Sequence, residues 1–92
     1  MRIVIDEVAV GDLEQIEAWI AKDDPRAATF TLETILTAID RLSIFPKMGR
    51  VGRAIGTYER VVSGTPYIIV YELRSRSATL IVTAVFHGAR QR

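Results

Sequence analysis

The side chains able to do acid-base or electrostatic chemistry gather late in the chain: Tyr58, Glu59, Tyr71, His87 and Arg90. Groups of these types suffice in principle to cut RNA without a metal. One must take the 2′-hydroxyl proton, cations must stabilise the phosphorane, and an acid must serve the leaving oxygen. The plainer reading of most of them is structural. Tyr67 and Tyr71 lie in an apolar run that suits a central strand, and Arg74 and Arg76 lie in a solvated turn. Other chemistries fall away by residue type. His87 is the only histidine and cysteine is absent, so a metal would rest on carboxylates, and Glu59 and Glu72 are not at ligand spacing. No metal or other cofactor is expected. Ser43, Ser63, Ser75 and Ser77 sit in turns or at helix ends, outside any nucleophile elbow. MGRVGRAIG has the glycines of a phosphate loop without its lysine-serine pair or its strand-to-helix setting.

The elements that must position these groups can be read from periodicity. RIVIDEV, residues 2–8, alternates with Ile3 and Ile5 on one face and reads as a half-buried first strand. From Gly11, Leu13, Ile16 and Ile20 recur at helical spacing with Trp19 on the flank. Asp24-Pro25 is a helix start, since the aspartate can accept from free amides and proline tolerates the first position. The second helix carries Ala28, Leu32, Ile35, Leu36, Ile39 and Leu42 on its inner stripe. It must end near Phe45, because Pro46 disfavours helix in the preceding residue. Helices joined by so short a link form an antiparallel hairpin. Phe30 falls on the polar side of that second helix, so it either packs against the first helix near Trp19, the favoured reading, or contacts a partner. PKMGRVGRAIG reads as a cationic loop, TYERVVS as a strand, YIIVYEL as a central strand, RSRS as a turn and ATLIVTAVFHG as a last strand. The expected fold is α+β: a first strand, a helix hairpin, then a three-stranded antiparallel meander, with the helices on one face of the sheet.

Composition sets bounds on this. Ninety-two residues, 49% hydrophobic, provide for one core, so a single domain over 1–92 is expected. The first apolar run is too short for a signal peptide and nothing approaches a membrane span, so a soluble, cytoplasmic protein without membrane contact is expected. The net charge of +1 conceals an asymmetry. Residues 1–45 hold four cations against nine carboxylates, giving −5, and residues 46–92 hold eight against two, giving +6. An arginine-rich half suits an acidic peptide, nucleic acid, or a protein that handles it. The last strand adds a second pointer. With Leu80, Val82, Ala84 and Phe86 toward the helices, Ile81, Thr83, Val85 and His87 form a mostly apolar outer face, which needs a cover from this chain's own loop and tail or from a partner. The candidate partner-binding residues are therefore Arg50, Arg53, Arg60, Ile81, Val85, His87 and Arg90.

Four segments, DLEQIEAWIAKDDPRAA, LSIFPKMGRVGR, PYIIVYEL and VFHGARQR, resemble in order the signatures of ParE-type toxins in the RelE/ParE toxin-antitoxin superfamily, also described as plasmid stabilisation proteins. The resemblance runs from about Asp12 to Gln91. Its most specific parts are FP-x-MGR at Phe45–Arg50 and HGARQ at His87–Gln91. It implies a helix hairpin on a small antiparallel sheet and a hetero-oligomeric complex with a ParD-like antitoxin whose C-terminal segment wraps the toxin. Operator DNA would be reached only through the antitoxin. The ParE branch of the family poisons DNA gyrase, whereas the RelE branch cleaves mRNA on the ribosome. Two departures from the nuclease pattern favour the gyrase branch, and so a toxin that is not an enzyme. Ile68 follows Tyr67 where nucleases usually carry arginine, and the chain ends in Gln91 and Arg92 where they place tyrosine or histidine. A metal-independent endoribonuclease would have to work through His87, Arg90 and Glu59. The third reading is an inactive, antitoxin-binding regulatory relative.

Overall fold

Asp6 ends the first strand, β1 (Arg2–Ile5), earlier than the alternation of RIVIDEV suggests. Its carboxylate accepts the Val8 N–H at 2.8 Å and caps α1 (Glu7–Ala21). Such a cap contributes about 1 kcal/mol. In the computed structural model, which describes residues 1–89, Glu7 and Val8 are thus helical and Gly11 lies inside α1 rather than before it. The second helix, α2 (Pro25–Ile44), begins where Asp24-Pro25 places it. One oxygen of Asp24 accepts the amides of Arg26 and Ala27, both at 3.1 Å. It ends at Phe45, directly before Pro46.

Four further strands follow: β2 (Arg50–Val51), β3 (Tyr58–Val61), β4 (Tyr67–Arg74) and β5 (Thr79–His87). The sheet order is β1-β5-β4-β3-β2. The expected meander is β3-β4-β5, but the sheet is mixed and wider than that. β1 adds in parallel beside β5, Arg2 opposite Thr79, and β2 adds a two-residue edge inside the segment read as a loop. The turn after β4 is a single 3-10 turn, Ser75–Ser77. No helix among the described residues is long and apolar enough to cross a membrane.

Ala9, Leu13 and Ile16 of α1 and Ile35, Ile39 and Leu42 of α2 pack with Tyr67, Ile69, Tyr71, Leu80, Val82 and Val85 of the sheet. Leu36 is exposed, one residue and about 100° around the helix from buried Ile35. Phe30 is not sheltered by the hairpin either: it is 70% exposed.

The largest departure from expectation lies in β5. Val70 faces Ala84 and the next residue, Tyr71, faces Val82, so Thr83 is an extra residue. This is a β-bulge, and its hydroxyl donates to the Val70 carbonyl at 3.4 Å. An inserted residue inverts the side-chain alternation beyond it. Leu80 and Val82 face the helices as expected, but after Thr83 it is Val85 that enters the helix-side core, 3% exposed. Ala84 and Phe86 turn to the opposite face, where they form a second buried cluster with Ile68 and Val70.

Candidate functional site

The bulge redistributes the residues with chemical potential. Glu59 pairs with Val70 and shares the second face, whereas His87 pairs with Tyr67 on the helix side. The general acid and base of the nuclease reading are thus on opposite faces of the sheet and are not brought together. Arg90 lies outside the described residues. The partner-binding set is divided in the same way. Val85, expected on an outer face, is buried under α1, and Arg60, paired with Ile69, lies on the helix side. Ile81 is half-buried on the second face, and Arg50 is exposed on β2.

The chain's own loop reaches the second face at Glu59 and Phe86. Glu59 is only 4% exposed, and its carboxylate accepts the Arg53 N–H at 3.2 Å. The Arg53 guanidinium lies 3.9 Å from the same oxygen and 5.6 Å above the Phe86 ring. A buried carboxylate is tolerated when hydrogen-bonded and paired. The arrangement ties the loop after β2 to Phe86, one member of the apolar cluster of Ile68, Val70, Ala84 and Phe86.

Tyr71 explains the most specific signature segment. Its hydroxyl donates to the Pro46 carbonyl at 2.7 Å and accepts the Gly49 N–H at 3.0 Å. Its ring stacks on Tyr58 at 5.5 Å. A Cβ on residue 49 would stand 2.6 Å from that hydroxyl and 2.9 Å from the Glu59 carbonyl, so only glycine fits. Burial pushes the Tyr71 pKa above its ordinary value, outweighing the Gly49 hydrogen bond that lowers it. A phenol so held is neutral near pH 7 and serves as a clamp on the Pro46–Gly49 corner. That role was concealed in the sequence, where Tyr71 reads as packing and PKMGR as loop.

Two concave surfaces flank the helices. One cleft, of about 320 Å³, lies between α1 and β5 and is lined by Asp12, Trp19, Tyr67 and His87 among others. β1 pairs β5 only as far as Val82, and Asp12 takes over beyond it, accepting the Val85 N–H at 2.9 Å. His87 packs edge-on to Tyr67 at 5.4 Å, and its Nδ1 accepts the Ala89 N–H at 3.1 Å. The other groove, of about 420 Å³, runs between α2 and β3 and collects exposed Phe30, Arg41 and Val61 with half-buried Arg60. Periodicity could have found its helical wall, since residues 30, 34, 37 and 41 share one stripe.

A family model described as the ParE toxin of the type II toxin-antitoxin system, parDE, matches residues 3–92. A Sinorhizobium fredii protein named as a toxin, Y4kP, is 40% identical over 83 residues, 90% of this chain and 83% of that one. Toxin RelE1 of Caulobacter vibrioides is 30% identical over 94 residues, 98% of this chain and 96% of its own. Among solved structures, a chain of the chromosomal ParDE system from P. aeruginosa superimposes with a TM-score of 0.82 at 14% identity, over 95% of each chain. A chain of the intact E. coli RelBE toxin-antitoxin complex superimposes with a TM-score of 0.73 at 13% identity, over 99% of this chain and 98% of that one. At these identities the structural likeness concerns the fold.

Proposed function

The chain belongs to the ParE toxin family of type II toxin-antitoxin systems, and on that premise we propose that it arrests growth by poisoning DNA gyrase and is neutralised by a ParD-like antitoxin. The observation that carries the choice of target is the setting of Ile68. It is buried with Val70, Ala84 and Phe86, and Arg53, bound to Glu59, lies over the Phe86 ring of that cluster. A ribonuclease needs a cation at the developing phosphorane and an acid-base pair on either side of it. Here the position after Tyr67 is an isoleucine in an apolar cluster, the nearby carboxylate is engaged by Arg53, and the histidine is on the other face. These features favour action by binding over action by cleavage. The partner is an antitoxin because the family is defined by such pairs, and its stable capture of the toxin makes a hetero-oligomer the working form.

The test is induction of the chain in cells without antitoxin. DNA breaks with an SOS response and inhibition of purified gyrase supercoiling are the expected outcome. Codon-positioned mRNA cuts that disappear in His87→Ala would replace this reading with the endonuclease. Undiminished growth would leave the regulatory relative.

A further inference from the structure

The segment between β2 and β3 has the glycine-rich, cationic composition of a loose loop, yet its backbone is fixed. The Gly52 N–H donates to the Thr57 carbonyl at 2.8 Å and closes the loop at its base. The Thr57 amide and hydroxyl both donate to the Ala54 carbonyl, at 3.2 and 2.7 Å. Residues 54–57 are therefore a β-turn, and its third residue, Gly56, has φ +82°, a conformation that suits glycine at that position. The Arg53 N–H adds a further tether, 3.2 Å to the buried Glu59 carboxylate.

What this scaffold holds up is apolar. Ile55 is the second residue of the turn, where neither the turn nor the core needs a branched aliphatic side chain, and it is fully exposed. Val51, opposite Tyr58 at the sheet edge, is 80% exposed. Aliphatic side chains carried on a backbone that is already ordered cost little entropy to dock. The charge around them is of one sign. Arg41, Lys47, Arg50 and Arg53 stand between Asp40 and Glu59 in sequence with no carboxylate among them, and Glu59 itself is engaged by Arg53.

We propose that residues 50–56 are the surface by which the toxin holds its target, with Ile55 and Val51 entering an apolar pocket of the target protein and carboxylates on the rim of that pocket facing Lys47 and Arg50. The inference rests on the gyrase reading above and gives it a contact surface. The aliphatic anchors supply affinity, and the complementary charge steers the encounter and selects the partner. A protein pocket fits better than a nucleic-acid duplex. Affinity for a duplex comes from neutralising many phosphates, and this chain, with a net charge of +1 and nine carboxylates in its first 45 residues, repels a polyanion over half its sequence. None of residues 50–56 lines the α2–β3 groove or the α1–β5 cleft, so changes in the loop leave both concavities intact.

The experiment measures inhibition of supercoiling by purified gyrase, together with binding of the chain to gyrase, to its antitoxin and to linear duplex DNA alone. The variants are Ile55→Ser, Arg50→Glu and, as a charge control on a remote turn, Arg76→Glu. Ile55→Ser should weaken inhibition and gyrase binding about tenfold or more, at unchanged melting temperature and unchanged antitoxin affinity. Arg50→Glu should act mainly by slowing association with gyrase, more so at low salt, while Arg76→Glu should change inhibition less than about twofold. Full inhibition by Ile55→Ser would overturn the loop assignment and leave the gyrase reading standing. An equal loss of antitoxin affinity in Ile55→Ser would give the loop to the antitoxin, which also overturns it. Binding to duplex DNA alone that Ile55→Ser abolishes would replace the protein pocket by nucleic acid. A wild-type chain that neither binds nor inhibits gyrase would bring down the gyrase reading and this inference together.

Discussion

Replacing Tyr71 by phenylalanine removes one oxygen and tests the clamp on the Pro46–Gly49 corner. That oxygen makes two hydrogen bonds, 2.7 Å to the Pro46 carbonyl and 3.0 Å from the Gly49 amide. Each contributes about 1 kcal/mol net, and a donor left buried without a partner costs about 1–3 kcal/mol. Ring stacking on Tyr58 at 5.5 Å survives the change. The expected loss is about 2–3 kcal/mol, lowered if water reaches the Gly49 amide. For a domain of this size each kcal/mol moves Tm by about 4–8 °C, so a fall of about 10–20 °C is expected. The assay is urea unfolding followed by far-ultraviolet circular dichroism, with a thermal melt. The same substitution has a pH signature. The folded-state pKa of Tyr71 is raised by burial, so above the ordinary tyrosine value the unfolded chain gives up this proton while the folded one keeps it. The stabilisation tied to this is present below about pH 10 and is lost as pH rises through the folded-state pKa. Tyr71→Phe should lack that component of the alkaline decline. A variant within about 0.5 kcal/mol of wild type, with the same alkaline profile, would refute the clamp.

Val85→Asp should destabilise the chain itself by 3 kcal/mol or more, because it forces a charge into the helix-side core; an unchanged melting temperature would place Val85 on an outer face after all. Asp12→Ala strips the acceptor from the Val85 N–H and should cost about 1–3 kcal/mol in urea unfolding. Asp24→Ala removes the oxygen that accepts from Arg26 and Ala27 and should cost about 1 kcal/mol by the same assay, with α2 fraying first in hydrogen exchange. Purified protein should leave mRNA on translating ribosomes intact, as read by primer extension; positioned cuts would contradict the gyrase assignment.

Where local chemistry is strong, the fold was legible. Asp24-Pro25 and Phe45-Pro46 bracket α2 in sequence and in structure, and apolar runs separated by turn residues mark β3, β4 and β5. The first boundary was misread because alternation in RIVIDEV continues past Asp6, and an aspartate there looks like an outward strand residue until its carboxylate is seen on the Val8 amide. β2 could not be read, since two residues carry no periodicity. The candidate site suffered most from one residue. A period of two cannot reveal an insertion, so Thr83 passed unnoticed, and every face assignment beyond it, Val85 and Phe86 included, was inverted. Glu59 was named for its acidity, while its structural work of tying Arg53 over Phe86 is long-range and left no local mark. Phe30 was correctly singled out as anomalous, but its exposure beside β3 could not be foreseen without the sheet.

The pairing of Arg2 with Thr79 has a consequence for the order of events during synthesis. The hairpin of α1 and α2 is local and can form as soon as it leaves the ribosome, but β1 lies beside a strand that is made last. At about 5–20 residues per second, the opening strand waits on the order of 4–15 seconds for its neighbour. Until then Ile3 and Ile5, which pack against the core in the finished molecule, have nothing to pack on but the helices. Contacts so distant in sequence also slow the final step, to roughly milliseconds or longer. The five-stranded sheet therefore cannot be complete on a half-made chain, and every surface built on β5 and its neighbours arises only after residue 87 has been made.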